Sequence, residues 1–139
     1  MKKYFRLLSL IIAAIIILSL YFQPCQKSVL GKVDSVEIHI EDCGNHQKEN
    51  IEKAIKKLIY DFKNGYNDCS LVDIYYNATE VMDLEHEYQK EHKGEVIILK
   101  YIFLSGDSPP VGITPNSKTS WIYVLKKEDK NFEIISYGF

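Results

Sequence analysis

Apolar positions are densest in Glu95–Leu104 (EVIILKYIFL), where both alternating sets are filled. Val96, Ile98, Ile102 and Leu104 form one set, and Ile97, Leu99, Tyr101 and Phe103 the other; only Lys100 breaks the run. A strand apolar on both faces needs cover on both, which places it in the middle of a sheet. Val33–Glu41 alternates instead. Val36, Ile38 and Ile40 fall on one face, with Ser35, Glu37, His39 and Glu41 on the other, the pattern of a half-buried strand. Gln47–Lys63 carries Ile51, Ile55, Leu58, Ile59 and Phe62 at helical spacing. Asn45 is its candidate cap and Asn64-Gly65 its left-handed stop. Cys69–Tyr76 reads as a short strand. Asn77, with Glu80 downstream, caps a second helix over Thr79–Lys90, whose apolar side is only Val81, Leu84 and Tyr88.

After the central strand, Ser105–Ser117 holds three prolines and two glycines and is excluded from regular structure. Loops of that length are commonly functional or disordered. Lys118–Lys126 and Asn131–Tyr137 form a closing hairpin around Lys127–Lys130. The order β-α-β-α-β-β-β predicts an α+β fold: a mostly antiparallel, curved sheet packed on one long and one short helix, both on one face.

The first residues follow a different pattern. Leu7–Phe22 is 16 residues without a charge, preceded by Lys2, Lys3 and Arg6. As a helix it spans roughly 24 Å, and Tyr4, Phe5 and a snorkelling Arg6 extend it towards the ~30 Å apolar core of a bilayer. Leu20, Tyr21 and Phe22 stand where signal cleavage needs small residues, and Phe22-Gln23-Pro24 before Cys25 departs from a lipoprotein cut. This favours an uncleaved anchor over residues 4–22, with the N-terminus cytoplasmic and the domain outside the cell membrane. The alternative is a cleaved signal and a secreted protein. The predicted organisation is therefore an anchor or signal segment over 1–23, a linker over 24–32, and an extracytoplasmic domain over 33–139.

Setting aside Lys2, Lys3 and Arg6 leaves 14 basic against 19 acidic residues, a balance of −5. That argues against nucleic acid as a partner. Cys25, Cys43 and Cys69 are an odd set. Cys43 and Cys69 flank the long helix and so stand roughly 26–28 Å apart, against the ~7 Å reach of a bridge. No disulfide is expected.

Asp83, Glu85, His86, Glu87, Glu91 and His92 invite a metal reading, but His86 and His92 are six apart and point to different sides of a helix. The expectation is a solvated acidic face, with no metal and no cofactor. His39 shares its strand face with Glu37 and Glu41, and solvent exposure is its default. There is no phosphate loop and no nucleophile elbow. The candidate site is architectural: a curved sheet leaves a concave mouth beneath the long loop, and Tyr75, Tyr101, Trp121 and Tyr123 would line it, with Asp107 and Asn116 at the lip. Tyr76 is a further candidate for its wall.

VEIHIED (Val36–Asp42), ENIEKAIKKL (Glu49–Leu58), Cys69–Tyr76, Pro115-Asn116-Ser117 and the ending WIYVLKKEDKNFEIISYGF (Trp121–Phe139) together resemble an uncharacterised family of small membrane-anchored or secreted bacterial proteins. The ending is also similar to the cystatin-like, nuclear-transport-factor-like superfold. That resemblance implies a curved sheet wrapping a helix around a pocket, with Phe132 where a tryptophan is usual. It implies no activity, because the superfold hosts enzymes and binding modules alike. The expected function is a non-catalytic module that binds a ligand or partner at the end of loop 105–118. The alternative is a pocket enzyme using Asp107 or Asp73 as acid and His39 as base.

Overall fold

The computed structural model describes residues 30–138. The anchor segment and Cys25 lie outside them. The elements are β1 (Glu37–Asp42), α1 (Lys48–Gly65), β2 (Cys69–Asn77), α2 (Ala78–Glu91), β3 (Val96–Ser105), β4 (Lys118–Glu128) and β5 (Asn131–Gly138). They form an α+β domain with one five-stranded sheet in the order β1-β2-β3-β4-β5, so β3 is its central strand. The pairings β2–β3, β3–β4 and β4–β5 are antiparallel, whereas β1–β2 is parallel and makes the sheet mixed. A parallel pair of neighbouring strands needs a long crossover, and α1 supplies it between β1 and β2.

Val96, Ile97, Ile98 and Leu99 are completely buried, as a doubly covered strand demands. α1 covers one face. Its Ile51, Ala54, Ile55, Leu58 and Phe62 are buried against Ile74, Tyr101 and Phe103 in one core, each large apolar side chain contributing about 1.5–3 kcal/mol. The expectation of both helices on one face is not met. β2 pairs with β3 only as far as Tyr75↔Lys100, which leaves Val96–Leu99 without a strand on that side. α2 packs there, and its first turn reaches the face opposite α1, where Glu80 pairs with Lys100.

Local signals held in part. Asn77 caps α2, its Oδ1 accepting from Thr79 N at 3.1 Å. Asn45 does not cap α1; the cap position is Gln47, without a side-chain bond, and the preceding turn closes through His46 N to Cys43 O at 3.0 Å. α1 does not stop in a left-handed Gly65 either: it runs through Gly65, and the positive φ falls on Asp68 at 55°. The domain reaches back to Gly31, whose N donates to Lys63 O at 3.0 Å, while Lys32 bridges Ser70.

Residues 106–117 are irregular but tied down. Gly106 N donates to Asp68 O at 2.7 Å and Ser108 N to Asp68 Oδ2 at 2.8 Å. Ser105 Oγ donates to Thr114 O at 2.6 Å across the loop's base. A Cβ on Gly106 would meet the Asp68 carboxylate at 2.4 Å and displace it from the Ser108 amide it accepts from. Cys43 and Cys69 are free thiols, and burial pushes Cys69 up to about 11.

Candidate functional site

Where α1 ends, residues of β4, β5 and the 106–117 loop come together around one groove. Tyr66, Trp121, Tyr123 and Tyr137 wall a groove of about 240 Å³, with Val111 and Ile113 as its loop side. Strand alternation sets this wall: Trp121 and Tyr123 are two residues apart on β4, and register places Tyr137 beside Tyr123. The rings meet edge-on or tilted. Trp121 lies 6.2 Å from Tyr66, 5.3 Å from Phe103 and 6.4 Å from Tyr137, centroid to centroid. Phe62 stacks under Tyr66 at 4.5 Å. Such contacts fix the rings without filling the space above them.

The groove's polar groups are already partnered. Tyr123 Oη donates to Asp61 Oδ2 at 2.6 Å, and Lys57 Nζ donates to Asp61 Oδ1 at 2.7 Å. The Tyr66 and Tyr101 hydroxyls bond each other at 2.8 Å. Burial raises the pKa of Tyr66, Tyr101 and Tyr123 above the usual phenol range, with Asp61 adding to the rise at Tyr123. All three are neutral at pH 7. The surface offered to a ligand is mainly aromatic, with the Asp61 carboxylate at one side held by Lys57 and Tyr123.

The sequence candidates divide. Trp121 and Tyr123 line the groove. Tyr101 is buried beneath them, 1 % exposed, as their support. Asp107 and Asn116 are exposed and bonded to each other, Asn116 Nδ2 donating to Asp107 Oδ1 at 2.9 Å. They close the loop and do not line the groove. Tyr75 lies on the other face, stacked on His39 at 4.7 Å. The cause is a register shift between Leu71 and Asp73: one extra residue inverts which residues face α1.

A second cluster was not foreseen. His46 sits between two carboxylates, Nδ1 2.7 Å from Glu95 Oε1 and Nε2 3.0 Å from Glu85 Oε2. Glu85 is buried, 5 % exposed, so the acidic face of α2 is not wholly solvated. Its Oε1 accepts from Ile98 N at 3.0 Å and from Tyr76 Oη at 3.4 Å. The Ile98 amide is one of those left without a β2 partner, and a side chain completes the ladder there. Asn50 Nδ2 donates to Glu95 Oε2 at 2.9 Å, and Lys127 Nζ pairs with it at 3.2 Å.

The Glu85 hydrogen bond raises the His46 pKa, Glu95 adds to the rise, and burial opposes both. Burial alone would raise Glu95; His46, Lys127 and Asn50 outweigh it and hold that carboxyl below its usual range. A cleft of about 350 Å³ opens beside His46, Tyr76 and Glu85. Yet both imidazole nitrogens face carboxylates, which suits a held charge more than a proton shuttled to a substrate. The one cue in the sequence was Glu85's position four after Val81 and three before Tyr88, on the apolar stripe of α2.

No family model, curated protein or solved structure matches this chain. Among the described residues no helix is long and apolar enough to cross a membrane.

Proposed function

We propose that the domain is a non-catalytic binding module whose aromatic groove takes a small, neutral molecule bearing one or two aromatic rings. The observation that carries this is the preset wall of Tyr66, Trp121, Tyr123 and Tyr137 around an open 240 Å³ space. An apolar cavity of about 150 Å³ holds benzene, so this space admits one ring or two fused rings. Charge is not required of the ligand, because Lys57 and Tyr123 already satisfy Asp61. A larger hollow of about 570 Å³ lies between β1 and α1, but Ile38, Ile40, Ile55 and Ile59 give it an aliphatic wall rimmed by Lys48, Glu52 and Lys56.

Trp121 is the only tryptophan in the chain and reports on its own groove. Titrating the full chain in detergent micelles with 2-naphthylmethanol should change Trp121 emission saturably. Tyr137→Ala, a change at a residue 61 % exposed, should weaken binding roughly 2- to 10-fold, the worth of one aromatic contact. A linear, unsaturable response, identical in both proteins, would sink the reading.

The same proposal holds the module at the outer face of the cell membrane through residues 4–22. Intact mass of the chain recovered from native membranes should include the first 22 residues. A shortened chain found in the medium would instead make it a secreted binder.

A further inference from the structure

Glu37, His39 and Asp73 form a cluster on the sheet face opposite α1. Parallel register sets Glu37 beside Asp73 and His39 beside Tyr75, and alternation along β1 turns Glu37 and His39 to one side. One donor atom from each of Glu37, His39 and Asp73 lies within 4.8 Å of the others. His39 Nε2 is 3.6 Å from Glu37 Oε2 and 3.6 Å from Asp73 Oδ1. Those gaps are too long for hydrogen bonds. They come close to the ~3.4 Å between neighbouring ligand atoms around a tetrahedral ion with bonds of about 2.1 Å.

A separate observation points the same way. Nε2 of His39 is shielded from solvent and has no hydrogen-bond partner, a condition folded proteins rarely tolerate without an ion or water to resolve it. The ring does not turn away to find one, because it lies flat on Tyr75, 11° from parallel. Asp73 is mostly enclosed, its side chain 14 % exposed. Among the described residues, no lysine or arginine forms an ion pair with Glu37 or Asp73.

We propose that Glu37, His39 and Asp73 bind a divalent transition-metal ion of the zinc class. Two carboxylates and a neutral imidazole balance its charge, and this donor set suits zinc, cobalt or nickel over calcium. Water completes the coordination on the open side. The ion ties edge strand β1, which has a single strand neighbour, to β2.

The test uses the metal-free full chain in detergent, titrated with cobalt(II) and then displaced by zinc. One cobalt per chain should give a visible d–d band that zinc abolishes. His39→Asn and Asp73→Asn should each weaken cobalt binding at least about tenfold. Both substitutions are close in size to the residue they replace, and an unchanged Trp121 emission on the other face certifies the fold. Should wild type give no band at micromolar cobalt, or should both variants bind as wild type does, the assignment is overturned; in the second case the metal sits elsewhere.

Discussion

Replacing Glu85 with alanine should lower the stability of the domain by about 3–5 kcal/mol, the usual effect of removing one partner from a buried charged pair. Three donors lose their acceptor together: Ile98 N, Tyr76 Oη and His46 Nε2. For a domain near 100 residues this is a fall on the order of 15–30 °C in melting temperature. The pH profile should change with it. His46 has a folded pKa raised above its ordinary 6.5, so its contribution is full below that value and is lost as pH rises through the folded pKa. Glu95 is depressed from its ordinary 4.5, so its contribution is present above 4.5 and is lost as pH falls through the folded pKa. The network therefore stabilises most between about pH 4.5 and 6.5. Denaturation in urea across pH should show that maximum in wild type and a flatter profile in Glu85→Ala. A loss below about 1 kcal/mol would mean that the carboxylate is dispensable.

The second large effect is expected at Phe62. Its ring is 1 % exposed and touches Tyr66, Tyr101 and Phe103 at centroid distances of 4.5, 6.5 and 5.7 Å. Phe62→Ala should be about 3–5 kcal/mol less stable, from lost transfer energy and the cavity left behind. It should also loosen Tyr66, which lies flat on Phe62 and forms one side of the groove. Both consequences are measurable in one sample, by the urea midpoint and by Trp121 emission. A stable variant with native emission would show that the groove wall does not depend on this packing.

These effects fall where the sequence was readable to different degrees. β3 was legible as the central strand because both of its faces are apolar, and no edge position tolerates that. α1 was legible because Ile51, Ile55, Leu58 and Phe62 repeat at helical spacing. Its parallel crossover was not legible: a helix also joins β2 to β3, and that pair is antiparallel. α2 was legible as a helix but not in its position, since its placement depends on β2 ending before β3 begins. Trp121 and Tyr123 share one face because alternation along a regular strand holds. Tyr75 was misplaced because the β2 irregularity leaves no sequence mark, and one inserted residue inverts the face. Glu85, His46 and Glu95 lie 39 and 49 residues apart in the chain. No local spacing could join them; only the helix stripe hinted that one carboxylate points inward.

On the proposed reading, the groove beneath the 106–117 loop binds a neutral aromatic molecule. Isotope-edited nuclear Overhauser spectra of the full chain with 2-naphthylmethanol test it most directly. A ligand seated in the groove gives cross-peaks from the naphthyl protons to the rings of Trp121, Tyr123 and Tyr137. Cross-peaks to Ile38, Ile55 and Ile59 would place the ligand in the aliphatic hollow between β1 and α1 and contradict it.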